Sequence, residues 1–118
     1  MDIKIHPGFL AEVDDKIVGF ITYSSEDGAI KITWLGVSLK LHRKGVGTAL
    51  IKKIENIASG LSVDKITVET LSEKEDWKPH EQTRAFYIKH GYKLESTRII
   101  TSRAGGEKFN LAKYSKDI

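Results

Sequence analysis

The alternation of apolar and polar residues divides this chain into short strands first and amphipathic helices later. Phe9 to Val13 and Ile17 to Tyr23 are apolar, β-branched runs separated by Asp14-Asp15-Lys16, which predicts two antiparallel strands joined by a tight turn. A second turn signal, Ser24 to Gly28, leads into a third strand, Ile30 to Val37. That third strand is out of phase with itself. Ile30, Ile32 and Trp34 alternate to one side, but the apolar series continues at Leu35 and Val37, one residue displaced. Either a β-bulge or a strand buried on both faces accounts for the shift.

From Val46 the period lengthens. Val46, Ala49, Leu50, Ile54, Ile57 and Ala58 recur at spacings of three and four, with Lys52, Lys53 and Glu55 opposite, so the segment predicts an amphipathic helix that Ser59-Gly60 stops. Val63 to Leu71 returns to alternation and reads as a strand, and strand, helix, strand implies a right-handed parallel crossover. Ser72 to His80 is polar and reads as a loop anchored by Trp77. Glu81 to His90 predicts a second helix ending at Gly91, and Tyr92 to Ile100 and Lys108 to Tyr114 make a closing hairpin around Ala104-Gly105-Gly106. The order β-β-β-α-β-α-β-β predicts a mixed α+β sheet carrying helices, in a single domain spanning residues 1–118.

Composition narrows the chemistry. There are no cysteines, which removes disulfides, thiolate metal sites and a cysteine nucleophile together. His6, His42, His80 and His90 lack metal-ligand spacing, so no metal is expected. No apolar run reaches the roughly 20 residues of a membrane span and no signal-like segment precedes the first strand, so the expected location is cytoplasmic. A net charge of +3 is mild for 118 residues, which argues against a dedicated nucleic-acid binder. The basic excess is local instead: Lys40, Arg43, Lys44, Lys52 and Lys53 fall between Ser38 and Lys53 with no acid among them.

At the centre of that excess is His42-Arg43-Lys44-Gly45-Val46-Gly47-Thr48, set between the third strand and the first helix. Two glycines permit a sharp turn and a close approach of backbone to ligand, and the helix that begins there presents unpaired N–H groups and partial positive charge. An anion suits such a loop. A nucleotide-hydrolase P-loop is excluded, because only one residue separates Gly45 from Gly47. A dinucleotide fingerprint is excluded as well, because Leu50 stands where a third glycine is needed. Arg43 and Lys44 lie in the turn itself, where their donors can reach the oxygens that the backbone holds.

The residues then resemble a known family, the GNAT superfamily of acyl-coenzyme-A-dependent N-acyltransferases. His42-Arg43-Lys44-Gly45-Val46-Gly47 is similar to the family's Arg/Gln-x-x-Gly-x-Gly/Ala pyrophosphate loop, and Phe86-Tyr87-Ile88-Lys89-His90-Gly91-Tyr92 to its Phe-Tyr-x-Lys-x-Gly-Phe/Tyr helix end. The resemblance runs from about Phe9 to the C-terminus. It implies acetyl-coenzyme A as acyl donor, with pyrophosphate on His42, Arg43, Lys44, Gly45, Val46, Gly47 and Thr48, and pantetheine paired beside Leu35, Gly36 and Val37. It further implies direct attack of an amine on the thioester, with Tyr87 as general acid to the departing sulfur, a phenol being protonated at neutral pH. The backbone N–H of Val37 would polarise the carbonyl. Glu69, late in the Val63 to Leu71 strand and on the opposite face from Ile66 and Val68, is the candidate general base, ahead of His80, Glu73 and Glu75.

Three departures qualify the resemblance. His42 stands where Arg or Gln is usual, and His80 and Thr83 where Asn and Ala are frequent. Only Met1 to Gly8 precedes the first hairpin, where family members carry a strand and two helices that shape the acceptor pocket. The acceptor amine is therefore unnamed, and a homodimer could complete the pocket. Two other readings of the same residues stand beside acetyl transfer: a coenzyme-A-binding module without catalysis, and a small basic nucleic-acid-binding domain.

Overall fold

The structure, a computed structural model, describes residues 2–41, 44–71, 78–102 and 105–118, with the side chains at 26, 39, 71 and 78–81 excepted. Its strands are β1 (Lys4–His6), β2 (Leu10–Val13), β3 (Lys16–Glu26), β4 (Ala29–Val37), β5 (Lys65–Leu71), β6 (Lys93–Thr101) and β7 (Lys108–Asp117), and its helices are α1 (Val46–Gly60) and α2 (Lys78–Lys89). The strands form one seven-stranded mixed sheet in the order β1-β2-β3-β4-β5-β7-β6. The fold is α+β, as the element order predicts.

The backbone gathers into two units, one running to Ile66 with Ile118 added, the other Thr67–Asp117. In the first unit, β1 to β4 form an antiparallel meander. Two of its turns have the backbone that a tight hairpin demands, with successive positive φ at Asp14 and Asp15 (51° and 65°) and at Asp27 and Gly28 (47° and 77°). Helix α1 covers one face of the meander. Its apolar stripe, Val46, Leu50, Ile51, Ile54 and Ala58, is buried against Ala11, Ile21, Ile30 and Ile32, which point to that face from the strands. The stripe includes Ile51, which the sequence reading passes over, and α1 continues through Gly60 to stop at Leu61 and Ser62, the latter at φ 58°.

The phase shift in β4 is a bulge. Thr22 pairs with Trp34 and Tyr23 with Ile32, so Thr33 is the extra residue. Ile30 and Ile32 face α1, and after the bulge Leu35 and Val37 do so, opposite the inward positions Ile21 and Gly19. Trp34 thus departs from the predicted side. It lies on the face away from α1 and is 72% exposed, because the switch in phase falls at Thr33 rather than after Trp34.

In the second unit β6 and β7 form the closing hairpin, and Tyr87, Tyr92, Ala112 and Tyr114 are buried. Helix α2 begins at Lys78, earlier than Glu81, and places Pro79 in its first turn, where a missing N–H leaves no helical hydrogen bond unmade. Most of the expected loop, residues 72–77 with Glu73, Glu75 and Trp77, lies outside the described residues.

Candidate functional site

The phosphate-loop candidate occupies the first unit. His42 and Arg43 lie outside the described residues, while Lys44, Gly45, Val46, Gly47 and Thr48 form the turn and the start of α1. Gly45 is the N-cap, at φ 89° and ψ 1°, a left-handed conformation that glycine adopts without the strain of a side chain. A side chain there would meet no atom within 4 Å, so the requirement is one of backbone conformation alone. No side chain caps the helix and no acid occupies its first turn. The first intrahelical acceptor is the Gly45 carbonyl, which receives the Ala49 N–H at 3.0 Å, so the N–H groups of Val46 and Gly47 find no acceptor within the helix. Lys44 is exposed beside them. Backbone donors, partial positive charge and a lysine thus fit a pyrophosphate.

Leu35, Gly36 and Val37 form the end of β4. The Ser38 N–H donates to the Val18 carbonyl at 2.7 Å, and alternation along the strand then turns the peptide groups of Val37 away from β3. On that side the sheet order places β5 beside β4.

A glycine that the sequence reading did not single out fixes this strand to the loop. A Cβ on Gly19 would lie 2.9 Å from the Gly36 carbonyl oxygen, 3.1 Å from Val46 Cγ1 and 3.3 Å from Leu50 Cδ1, so the absent side chain is what lets α1 sit down on β3 beside Gly36. Only the spacing of Gly19 within an otherwise apolar strand could have signalled it.

The candidate catalytic residues occupy the second unit. Tyr87 is 3% exposed, and its ring meets Tyr92 at 5.6 Å and Phe86 at 5.3 Å, both edge-on. The end of α2 holds it there through a Schellman motif. The Tyr92 N–H donates to the Tyr87 carbonyl at 3.0 Å, the Gly91 N–H donates to the Ile88 carbonyl at 3.0 Å, and Gly91 adopts φ 91°. The Tyr87–Tyr92 ring contact is the apolar clasp that accompanies such a motif. Burial pushes the phenol up to about 12 from 10.0.

Glu69 accepts a bidentate ion pair from Arg98, with Nε to Oε2 at 2.7 Å and Nη2 to Oε1 at 3.0 Å. The carboxylate is 15% exposed and the guanidinium 60%. The bidentate pair holds the Glu69 carboxylate in one orientation. Arg98 is a second residue that sequence reasoning missed. Arg98 reaches Glu69 from β6, with β7 between β6 and β5 in the sheet, and neither strand order nor register is written in a charge pattern. His80 lies within α2. Among the described residues no group of three or more His, Asp or Glu side chains could hold a metal ion.

The model of the acetyltransferase (GNAT) domain family matches residues 5–94, which include the glycine loop, Glu69 and the Tyr87 to Tyr92 helix end. The chain belongs to the GNAT acetyltransferase family. Its similarity to the uncharacterized protein YxbD of Bacillus subtilis (strain 168) is 33% identity over 82 residues, 70% of this chain and 46% of that one. The chain therefore spans about half the length of that relative. Among solved GNAT structures, an acetyltransferase of Bacillus anthracis str. Ames in complex with acetyl coenzyme A superposes with a TM-score of 0.80 at 19% identity, over 92% of this chain and 60% of that one. A GNAT family acetyltransferase of Elizabethkingia anophelis with acetyl-CoA bound gives 0.74 at 17% identity, over 92% and 74%. At such identities these two share the GNAT fold.

Proposed function

We propose that this GNAT chain transfers an acetyl group from acetyl-CoA to a primary amine by direct attack on the thioester. The observation that carries the proposal is the start of α1, where a left-handed Gly45 opens the helix, the N–H groups of Val46 and Gly47 have no acceptor within it, and Lys44 is exposed beside them. Two GNAT neighbours solved with acetyl-CoA support the choice of donor. Acetyl-CoA would supply an acyl thioester and a thiolate leaving group. Lys44 to Thr48, with Arg43 and His42 beside them in sequence, bind the pyrophosphate. Leu35 to Val37 pair with the pantetheine amides, and the Val37 N–H donates to the carbonyl oxygen as negative charge develops there. Glu69 takes the proton of the incoming ammonium, directly or through a water, and Tyr87 gives a proton to the departing sulfur. A phenol that titrates at about 12 carries that proton throughout the physiological range.

The test is thiol release from acetyl-CoA with a panel of primary amines, for the native chain and Tyr87→Phe. The expected result is turnover in the first and a loss of about a hundredfold or more in kcat in the second, with acetyl-CoA binding kept. Full activity in Tyr87→Phe would remove Tyr87 from the mechanism, and tight binding of acetyl-CoA without turnover across the panel would leave a binding module instead.

A further inference from the structure

The face of the first unit that α1 does not cover carries an apolar platform beside the proposed donor seat. Leu10 pairs with Phe20, and Phe20 with Gly36, so these residues lie in one row across β2, β3 and β4 on that face. The Phe20 ring lies against Gly36, where a Cβ would meet Phe20 Cε1 at 2.5 Å. The next row is Thr22 and Trp34, and the bulge turns Thr33 to the same face, where its hydroxyl meets that of Thr22 at 2.6 Å. Leu10, Phe20 and Trp34 are 39%, 42% and 72% exposed. Exposed single apolar residues are ordinary, but a tryptophan and a phenylalanine flanking one hydroxyl pair on consecutive rows make a contiguous surface.

We propose that this platform receives the acceptor, and that the acceptor is a small primary amine with an aromatic or otherwise apolar body. The inference rests on the acetyl-CoA reading above, because Trp34 directly precedes Leu35 to Val37, the segment assigned to the donor. An apolar body stacked between Trp34 and Phe20 directs its amine along β4 toward Val37. The two rings offer their faces to the aromatic or apolar body, and the Thr22–Thr33 hydroxyl pair marks the far end of the platform from Val37. A second protein chain fits the surface poorly. A stable interface buries about 800 Å² a side. Here the apolar row borders Lys4 and the His6–Glu12 pair, Nε2 to Oε1 at 3.0 Å, on the same face, and beyond them the exposed Ile17 stands apart opposite Glu12.

The chain has two tryptophans, Trp34 and Trp77, so a Trp77→Phe variant reports on Trp34 alone. Its fluorescence is titrated with phenethylamine and with spermidine, each with and without coenzyme A, and acetyl-CoA binding is followed separately by thermal shift. The proposal expects a saturable change with phenethylamine, none with spermidine, and at least a tenfold rise in the KM for phenethylamine in Trp34→Ala. Acetyl-CoA binding combined with a Trp34 signal indifferent to phenethylamine would overturn the platform and leave the donor assignment standing. An equal response to spermidine would overturn it too, as would a signal that follows protein concentration in place of amine, the mark of a second copy on this face. Fluorescence reads occupancy without turnover, so it decides the platform even if acetyl-CoA produces no shift and the donor assignment falls.

Discussion

Tyr87 is a packing element to which the proposed mechanism also assigns a proton donor's role. Its ring is enclosed by Phe86 and Tyr92, and the burial that stabilises the packed ring penalises the phenolate, so the proton is retained up to about 12. The unfolded chain would release that proton near 10. Below pH 10 both states carry it and the shift has no effect on stability. Between about 10 and about 12 only the unfolded state ionises, so stability falls as pH rises through that window. Thermal melts from pH 9 to 12 are expected to show a steeper alkaline loss in the native chain than in Tyr87→Phe; parallel curves would mean that the phenol is not held protonated by the fold. Glu69 makes the opposite demand, since it must be charged to accept a proton. Its bidentate partner Arg98 favours that state. Glu69→Gln is expected to lower kcat/KM for the amine by about a hundredfold at neutral pH. Arg98→Gln should shift the acidic limb of the pH–rate profile upward, because an unpaired carboxylate protonates more readily. An unshifted limb would assign the proton transfer to another group.

At the scale of elements, glycines decide where helices begin, end and sit. Gly91 at φ 91° closes the Schellman motif that aims Tyr87, so Gly91→Ala is expected to cost about 1 kcal/mol in a denaturant melt and to reduce kcat while leaving acetyl-CoA affinity alone. Gly19→Ala acts differently, by crowding Gly36, Val46 and Leu50. It should cost about 1–3 kcal/mol and weaken acetyl-CoA binding, because it separates α1 from the strand that the donor shares. The sequence made the first of these elements legible, since Phe86 to Tyr92 is a helix terminator whose glycine is visible in the chain. It concealed the second, because the reason for Gly19 is a neighbour in space. The bulge in β4 was readable as a break in phase, but its position at Thr33 was not, since Trp34 fits an apolar alternation while standing exposed. Strand β1, Lys4–His6, went unread because it is short and half polar. The start of α2 went unread because Lys78-Pro79-His80 has the composition of a loop.

At the scale of the whole molecule, donor and acceptor are encoded unequally. The donor side is carried by local motifs, a glycine loop and a helix end, each within a few residues of sequence, and such features survive in a single chain read without its structure. The platform proposed for the acceptor is assembled from side chains on β2, β3 and β4 whose common face depends on two registers and a bulge. That is why charge and periodicity left the acceptor open, and why an apolar amine is proposed only from the folded face. The five basic residues between Lys40 and Lys53 are assigned in the proposal to a polyphosphate donor. The account stands or falls on the donor, and the direct measurement is a thermal shift of the whole chain with acetyl-CoA beside adenosine diphosphate. A ligand at a hundredfold excess over its Kd stabilises by about 2.7 kcal/mol, so acetyl-CoA is expected to raise the melting temperature by several degrees and the diphosphate, lacking the pantetheine arm, by clearly less at equal concentration. Equal shifts for the two would reduce the site to a phosphate cradle, and no shift with acetyl-CoA would contradict the account.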